Sequence, residues 1–507
     1  MRMQRRELLK AGLSGLAGAG LGLTGLQEAW ALGAPPPNQF SSAPELAPFL
    51  GLQGEDLAAQ DLRIEGRLPS QLRGVYYKNG PSLMGRAGER YQHWFDGDGL
   101  VQAWRFGDGK VSHQARFVQT AKFKAETVAG RFLVPGFGTA IEARMPTRGS
   151  DGMNVANTSV LMQQDKLYAL WEGGSAHELD PQTLATRGVK TWAPGLAGMP
   201  FSAHPKVEAD GTVWNFGTMA GRMAIYQISA QGQVLRSEVF ASPGPTAFVH
   251  DFAVSQNYLV FLLPPLHLDL EALRGGASMA GSLRWQAAES TRVLLIDKAD
   301  FGRRRLLEIP ACMLFHFGNA WDDGQTLHLD YVQSRPMPSL NQEFAQLMRG
   351  ERPASHEALS VTSTPRFMKI DLSSGRVELQ SRTEAVEFPV VDPRVVAQRY
   401  RHVYYPLALE TGERWGFNGL LHLDLESGRR ERYCFGNQVV VEEHVMVPKP
   451  GSRQEGEGWL LGLCYDTQRQ RSFASVFDAQ ALSAGPLAKV WLPYWVTYGF
   501  HGKFYAA

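Results

Sequence analysis

The fold is decided by a short repeated stretch, Ile370-Asp371-Leu372-Ser373-Ser374-Gly375-Arg376-Val377, whose second clear copy is Leu423-Asp424-Leu425-Glu426-Ser427-Gly428. In each copy an alternating apolar strand ends in an apolar residue and an Asp, and a Ser/Gly turn follows. Weaker copies stand at Phe106-Gly107-Asp108, Leu179-Asp180, Ile228-Ser229, Ile296-Asp297 and Phe477-Asp478. We call each copy a mark and take its position from its Asp, or from Ser229 in the Ile228-Ser229 copy. In chain order the intervals between successive marks are 72, 49, 68, 74, 53 and 54 residues. Each interval suits a four-stranded blade with loop insertions.

Seven marks at this spacing predict an all-β protein, a seven-bladed β-propeller with a cap of loops and short helices over its axis. The segment from Val490 to Tyr505 follows the last mark. We expect it to add a strand to the first blade, which closes the ring and removes open sheet edges. A pair of β-sandwiches is the alternative architecture.

The composition of the 507 residues excludes several classes of protein. It is 44% hydrophobic and 20% charged, as in an ordinary folded chain. The net charge of +1 provides no broad basic field for nucleic acid. Three cysteines, Cys312, Cys434 and Cys464, allow at most one disulfide and contain no Cys-x-x-Cys pair. The chain is therefore not disordered, not a disulfide scaffold and not a nucleic-acid-binding protein.

The first residues are typical of an export signal. Adjacent arginines at positions 5 and 6 precede an uncharged stretch, Ala11 to Gln27, that six glycines weaken as a membrane helix. Ala29-Trp30-Ala31 supplies a small-x-small cleavage site. We predict a twin-arginine signal and spacer over residues 1–34 and a single propeller domain over 35–507. The mature protein is then periplasmic or secreted, and an uncleaved signal that tethers it to the inner membrane is the alternative.

Polar side chains recur at a similar distance after the marks, where the innermost strand of each blade lines the axis. They lie 16 to 24 residues after a mark and are His204, His250, His316, His501, Glu387 and Glu443; the remaining blade offers Thr158. Four imidazoles in one register, with open positions left, are most similar to a non-haem Fe(II) centre that also admits dioxygen. Each ligand imidazole needs an acceptor at its second nitrogen, and the candidates are Glu387, Glu443 and Glu172.

Two other metal motifs are weaker. Three His-x-Asp triplets begin at His267, His328 and His422, and ordinary strand alternation explains them as well as a facial triad does. Asp96-Gly97-Asp98-Gly99 resembles the start of a calcium loop, but the twelfth position from Asp96 is Gly107, where such a loop needs Glu. A tight glycine turn is the better interpretation of this second motif.

Ordered motifs from about residue 60 to the end give the chain a resemblance to the carotenoid cleavage oxygenases. They are Tyr76-Tyr77-Lys78-Asn79-Gly80-Pro81, His93-Trp94-Phe95-Asp96-Gly97-Asp98-Gly99, Leu170-Trp171-Glu172-Gly173-Gly174, Ala203-His204-Pro205-Lys206, Val249-His250-Asp251-Phe252-Ala253, Phe315-His316-Phe317-Gly318-Asn319-Ala320, Glu387-Phe388-Pro389, Glu443-His444-Val445-Met446-Val447-Pro448 and Gly499-Phe500-His501-Gly502. The resemblance implies a seven-bladed propeller with one axial Fe(II) per subunit. It also implies oxidative cleavage of a conjugated C=C bond to two carbonyl products, with O₂ as co-substrate and no side chain acting as general acid or base.

Residue by residue, the resemblance assigns roles to the axial side chains. His204, His250, His316 and His501 match the iron ligands, and Glu172, Glu387 and Glu443 match the carboxylates that hold ligand imidazoles. Three carboxylates serve four histidines, and we expect His204 to be the one without such a partner. Thr158 matches a position close to an open iron site.

Two substrate classes follow from the resemblance. The first is a carotenoid or apocarotenoid, an apolar polyene, and we expect Phe317 to line its tunnel with Phe132, Phe137 and Trp285. The second is a lignin-derived stilbene or phenylpropenoid, whose phenol some family members grip with a Tyr and a Lys. Here Tyr91 and Lys122 or Lys124 lie in the corresponding stretch. An isomerising, O₂-independent member and a non-catalytic binding propeller are further alternatives.

The expected partner is an apolar small molecule, with no nucleic acid and no obligate protein partner. An apolar substrate favours a membrane-facing entrance, and the run from Leu262 to Leu273 is the candidate for such a peripheral membrane contact. Core packing under a loop is the alternative explanation of this run.

Overall fold

The computed structural model describes residues 43–147, 149–351, 362–409 and 416–507. The predicted export signal, residues 1–34, lies outside these ranges. In chain order the strands are β1 (Leu57–Ala59), β2 (Arg63–Gly66), β3 (Gly74–Leu83), β4 (Gly85–Arg86), β5 (Glu89–Arg90), β6 (Asp98–Gly107), β7 (Lys110–Phe117), β8 (Ser159–Gln163), β9 (Lys166–Leu170), β10 (His177–Leu179), β11 (Thr186–Val189), β12 (Lys206–Val207), β13 (Val213–Met219), β14 (Arg222–Ile228), β15 (Val234–Ala241), β16 (Ala253–Val254), β17 (Tyr258–Leu263), β18 (Leu266–Leu268), β19 (Leu283–Trp285), β20 (Thr291–Asp297), β21 (Arg304–Ile309), β22 (Met313–Asp322), β23 (Thr326–Ser334), β24 (Thr364–Asp371), β25 (Val377–Ser381), β26 (His402–Leu407), β27 (Gly419–Asp424), β28 (Arg430–Cys434), β29 (Val439–Pro448), β30 (Gly458–Asp466), β31 (Arg471–Asp478), β32 (Ala488–Trp491) and β33 (Gly502–Ala506). The α-helices of the described ranges are α1 (Ala121–Ala129), α2 (Leu270–Arg274) and α3 (Met337–Met348).

Seven antiparallel sheets of these strands form the blades. From the axis outwards they are β33-β3-β6-β7-β1, β8-β9-β10-β11, β12-β13-β14-β15, β16-β17-β20-β21, β22-β23-β24-β25, β26-β27-β28 and β29-β30-β31-β32-β2, called blades 1 to 7. In blade 6 the innermost position belongs to residues 386–390, which bridge to β26 at Val386–Leu407 and Val390–Tyr404. The predicted seven-bladed propeller is confirmed, and the pair of sandwiches is wrong.

All seven sequence marks lie at the same place, the turn between the third and fourth strand of a blade. The Oδ1 atom of Asp371 accepts hydrogen bonds from the backbone N–H groups of Ser373 (3.0 Å) and Ser374 (2.7 Å). Gly375 follows with φ 79°, a left-handed conformation that glycine adopts without strain. The repeated stretch is therefore a turn sequence, at which the chain reverses its direction once in each blade.

The ring is closed twice. The C-terminal strand β33 pairs with β3, with Lys78 opposite Gly502 and Gly74 opposite Ala506, which confirms the predicted closure. Residue Val490 lies instead in β32 of blade 7, where the N-terminal strand β2 pairs with β32. The repeat does not predict this second closure by β2. With both closures, the terminal strands β2 and β33 of the described chain lie in adjacent blades.

The cap is built from insertions on one face of the ring. Helix α1 lies between blades 1 and 2, the β18–β19 hairpin and α2 lie between β17 and β20, and α3 lies between β23 and β24. These connections leave the ring on the face where the innermost strands begin. None of the helices in the described residues is both long and apolar enough to cross a membrane.

The apolar run from Leu262 to Leu273 divides between core and surface. Leu262, Leu263 and Leu266 are buried in apolar clusters, so core packing is the correct interpretation of this half. Leu270 opens helix α2 and is 50% exposed. A continuous membrane-facing patch over the whole run is therefore wrong.

Candidate metal centre

Four histidines from four different blades meet on the propeller axis. His204 lies two residues before the inner strand β12, and His250 lies three residues before β16. His316 lies in β22, and His501 directly precedes β33. Inner strands of different blades face one another across the axis, which is why residues so distant in sequence come together. One ring nitrogen from each of the four lies within 4.8 Å of the others.

The nitrogen spacing fits a metal ion. The Nε2 atoms of His204 and His250 are 3.0 Å apart, and those of His250 and His316 and of His316 and His501 are both 3.1 Å apart. With metal–nitrogen distances of about 2.1 Å, ligands at right angles place their nitrogens about 3.0 Å apart, and tetrahedral ligands about 3.4 Å apart. The three observed spacings match the right-angled arrangement.

Carboxylates contact three of the four rings at Nδ1, the ring nitrogen that does not face the other histidines. His316 Nδ1 donates to Glu387 Oε2 at 2.5 Å, and His501 Nδ1 donates to Glu443 Oε1 at 2.8 Å. His250 Nδ1 contacts Glu172 Oε1. Within the described residues, His204 is the histidine of this cluster with no carboxylate on its ring.

This arrangement leaves a place between the rings that suits a cation. An ionised carboxylate accepts hydrogen bonds and donates none, so the single proton of each neutral ring it holds lies on Nδ1. The Nε2 lone pairs of His316 and His501 then point at each other. Lone pairs 3.1 Å apart repel each other unless a positive ion lies between them, so the donor set fits a metal.

Burial and neighbouring charges shift the pKa values of these groups in different directions. Burial lowers the pKa of His204 well below its usual value, and the other three histidines lower it further. Burial, the largest single effect, lowers the pKa of His316, but the charge and hydrogen bond of Glu387 and the charges of Asp251 and Glu443 together outweigh it, so the net shift is upward. Burial, the largest single effect, raises the pKa of Glu443, yet His501, Lys78 and the Gly502 N–H together outweigh it, so the net shift is downward and this carboxylate stays ionised.

The backbone beside Glu387 is strained. Phe388 has φ 51°, a left-handed conformation that is rare for a bulky side chain. Its N–H donates to Glu387 Oε2, the same oxygen that accepts from His316. Such strain persists where the surroundings enforce it, and it commonly marks a functional site.

Phenylalanine rings pack directly on the cluster. Phe248 stacks on His250 with ring centroids 5.7 Å apart, and Phe315 meets the same ring edge-on at 5.2 Å. Phe388 stacks on His316 at 5.0 Å. These apolar rings, which sequence reasoning missed, exclude water from the histidines.

A second group of aromatic rings extends this apolar surface into the cap. Phe95 lies 6.2 Å from Phe315, and Phe137 lies 6.2 Å from Phe248 and 5.9 Å from Phe95, all between centroids. Phe344 of helix α3 packs 5.3 Å from Phe95. The predicted tunnel residue Phe137 therefore belongs to the apolar surface next to the metal centre.

Two of the other predicted tunnel residues, Phe317 and Phe132, lie elsewhere. Phe317 is buried in the core between blades 4 and 5, so the structure does not bring it to the histidines. The reason is an irregularity in β22, whose pairing with β23 shifts on either side of Phe317. Phe132 stacks on Tyr91, 4.0 Å between centroids. Trp285 packs in the same apolar cluster as Phe137, Phe248 and Phe315, so it belongs to the apolar surface beside the metal centre.

Thr158 lies beside His501. Its backbone carbonyl accepts a hydrogen bond from the His501 N–H at 3.2 Å, and its own N–H donates to Leu170. Its hydroxyl donates to Asn157 Oδ1 at 3.0 Å. Thr158 thus lies against the chain at His501, and its place beside an open iron position stays a prediction.

Tyr91 and Lys122 meet in a buried network. Lys122 Nζ donates to Asp98 Oδ1 and Glu126 Oε2, both at 2.9 Å, and to the Tyr91 hydroxyl at 2.5 Å. Arg86 adds a second cation, 3.4 Å from Asp98. Burial alone lowers the pKa of Lys122, but the two carboxylates outweigh it and the net shift is upward. The ammonium is therefore charged and already partnered inside the protein.

Replacing Lys122 by methionine is expected to lower the free energy of unfolding by about 3 to 5 kcal/mol, because Asp98 and Glu126 would keep their charges in the interior with one cation fewer. Lys122 is 1% exposed, so solvent does not screen this loss. The matched control is Lys124→Met on the same helix, an exposed position where a change within about 0.5 kcal/mol is expected. Urea unfolding of both variants measures the difference. Equal unfolding midpoints for Lys122→Met and the parent would contradict a structural role.

The fold and the site define a propeller whose axis carries an all-histidine metal site under an apolar cap. Residues 53–506 match the model of the family described as retinal pigment epithelial membrane protein. The chain belongs to this family, that of the carotenoid cleavage oxygenases.

Individual relatives support the assignment over nearly the whole chain. The chain is 32% identical to apocarotenoid-15,15'-oxygenase of Synechocystis sp., covering 87% of this chain and 92% of that protein. It is 30% identical to isoeugenol monooxygenase of Pseudomonas putida, covering 87% and 94%. The crystal structure of the cobalt-substituted Synechocystis enzyme superposes with a TM-score of 0.81 at 28% identity, covering 92% of this chain and all of that one. The protein is accordingly an oxygenase with a metal site.

Proposed function

We propose that this protein is an Fe(II)-dependent dioxygenase that cleaves a conjugated C=C bond of a carotenoid or apocarotenoid. The observation that carries the proposal is a cluster of four convergent imidazoles. Three of them contact carboxylates, and phenylalanine rings pack on the cluster. His204, His250, His316 and His501 would hold the iron. An all-imidazole set suits Fe(II) and leaves its positive charge uncompensated. Bound iron supplies the redox chemistry by which one O₂ adds one oxygen atom to each carbon of the broken bond.

The side chains contribute orientation and exclusion of water. Glu387 and Glu443 fix the direction in which the His316 and His501 lone pairs point. Phe248, Phe315 and Phe388 keep the approach to the rings apolar. Because both oxygen atoms of O₂ end in the two carbonyl products, no proton has to be delivered or removed by a side chain.

The apolar surroundings support a polyene substrate. The rings that line the cap side of the cluster, Phe95, Phe137, Phe248 and Phe315, offer stacking and dispersion contacts to a conjugated chain. The name of the Synechocystis relative, an apocarotenoid oxygenase, supports the same class.

A phenolic stilbene or phenylpropenoid is the second candidate substrate. The hydrogen bond between Lys122 and Tyr91 favours it, since this pair matches the phenol-gripping residues of some family members. The isoeugenol monooxygenase relative points in the same direction. Against it, Lys122 already has Asp98 and Glu126 as partners, so a phenol would compete with two buried carboxylates.

Parallel incubations decide between these substrates. The Fe(II)-loaded protein is given an apocarotenal and a hydroxystilbene in separate reactions, and the products are identified by mass spectrometry. We expect the apocarotenal to be cleaved to two carbonyl compounds. Cleavage of the hydroxystilbene alone would overturn the preferred substrate, and an isomerised substrate without cleavage would overturn the dioxygenase assignment.

The site of action is a separate proposal. The twin-arginine pattern of residues 1–34 supports a periplasmic or secreted enzyme, exported after it has folded. An apolar substrate that partitions into membranes would suit peripheral contact with a lipid surface.

A further inference from the structure

The blades that carry the histidines are separate sheets. His204, His250 and His316 belong to blades 3, 4 and 5, and the strands of these blades form no common sheet. Strand hydrogen bonds therefore fix each histidine within its own blade and leave the spacing between blades to side chains. Nitrogens 3.0 to 3.1 Å apart require this spacing to be held within tenths of an ångström.

One buried carboxylate joins all three of these blades. Asp251 follows His250 directly, and its Oδ1 accepts from the Phe252 N–H of its own blade at 2.7 Å. The same oxygen lies 2.7 Å from Lys206 Nζ of blade 3. Its Oδ2 accepts from the Phe317 N–H of blade 5 at 2.9 Å. The side chain of Asp251 is 2% exposed, so these protein groups are its main partners.

Each of these contacts lies next to a histidine of the cluster. Lys206 stands two residues after His204, at the start of strand β12. Phe317 directly follows His316 in β22. A displacement of either neighbouring blade thus stretches a charged hydrogen bond to Asp251, which is roughly twice as strong as a neutral one.

On the opposite side of the ring, a carboxylate of one blade likewise accepts a hydrogen bond from a backbone N–H of the neighbouring blade. Glu443 Oε2 of blade 7 accepts from the N–H of Gly502, the residue that follows His501, at 2.7 Å. Both His316 and His501 are therefore followed by a backbone N–H that a carboxylate of the neighbouring blade holds. Glu443 also contacts the His501 ring, whereas Asp251 acts only on the chain around the rings.

We propose that Asp251 is a positioning residue that sets the spacing of His204, His250 and His316 by bracing blades 3, 4 and 5 against one another. This inference rests on the proposed metal centre. It differs from the roles of Glu172, Glu387 and Glu443, because Asp251 touches no ligand ring and acts through the backbone and Lys206.

Cobalt(II) is the probe of this spacing, since its visible absorption reports the arrangement of its ligands and needs no substrate. In Asp251→Asn the side chain keeps its shape but presents an N–H₂ donor either to the Phe252 N–H and Lys206 or to the Phe317 N–H, where a carboxylate oxygen now accepts. We expect the Co(II) dissociation constant to rise about ten- to a hundredfold, with a changed visible spectrum. Lys206→Met removes only the blade 3 contact, and a smaller rise in the same direction is expected.

The matched control is Asp322→Asn. Asp322 is also buried and also joins blades 4 and 5, through Ser255 at 2.6 Å and Asn257 at 2.7 Å, but it lies at the far end of β22. We expect Asp322→Asn to lower the midpoint of thermal unfolding and to keep the parental Co(II) affinity and spectrum.

Three outcomes would overturn the inference. They are parental Co(II) binding and spectrum in Asp251→Asn, an equal loss of Co(II) binding in Asp322→Asn, and, where Asp251→Asn does not fold, parental Co(II) binding in Lys206→Met. A parent protein that binds no Co(II) at all would instead reject the proposed metal centre. The two failures are therefore distinguishable.

Discussion

Replacing any one of His204, His250, His316 and His501 by alanine is expected to abolish C=C cleavage and to lower iron affinity by more than about 100-fold. Changes to groups that merely hold a ligand ring cost about 10- to 100-fold, and loss of a ligand itself costs more. The carboxylate contacts of the remaining rings would persist, but one position of the site would lack a donor. Iron per chain and initial rate on the same preparation measure the effect.

The control is a buried histidine outside the cluster. His113 of blade 1 is at least as buried as the four, and it bonds to Gln102 of its own blade and to Tyr494, which lies between β32 and β33. In His113→Asn we expect parental iron content and turnover with a lower unfolding temperature. A single alanine variant of the cluster that kept full iron and full activity would reject the assignment of that histidine.

Replacing Glu387 or Glu443 by glutamine is expected to weaken iron binding and turnover by about 10- to 100-fold. An uncharged amide no longer fixes the Nδ1 proton, so the Nε2 lone pair loses its orientation toward the axis. Glu172 is 25% exposed, more than the other two, and we expect Glu172→Gln to have a smaller effect because water can replace part of its contact. Iron titration of the three variants gives the order.

A surface His–Glu pair provides the comparison. His267 Nε2 lies 2.9 Å from Glu289 Oε2, the same kind of contact as in the cluster, but Glu289 is 47% exposed. Glu289→Gln is expected to leave iron binding and turnover as in the parent. If Glu387→Gln and Glu443→Gln also matched the parent, the carboxylates would not orient the ligands.

The repeat could be read from sequence because its chemistry is local. An Asp that caps its own turn, as Asp371 and Asp424 do, needs only the next few residues. The blade count followed from seven such turns, and the histidines followed from their common distance to them. Closure by β2 could not be read in this way, since its four residues carry no alternating pattern and their partner strand lies more than 400 residues away.

Contacts around the site depend on local irregularities and on distant partners. Strand alternation counted from His316 does not predict that the pairing of β22 shifts at Phe317. This shift buries the Phe317 ring and leaves Phe315 on the histidine cluster. The partner of Lys122 at Glu126 is a helical neighbour and readable, whereas Asp98 comes from strand β6. Asp251 stood within a recognised motif, but its contacts to blades 3 and 5 exist only in the folded ring.

The most direct test of the account is cleavage of an apocarotenal by the parent protein before iron removal, after chelation and after Fe(II) is restored. The predicted result is one iron per chain, two carbonyl products, loss of both products with the iron, and recovery of both when Fe(II) returns under O₂. Cleavage that persists in the iron-free protein, or an Fe(II)-loaded protein that binds the substrate and leaves it whole, would contradict the account.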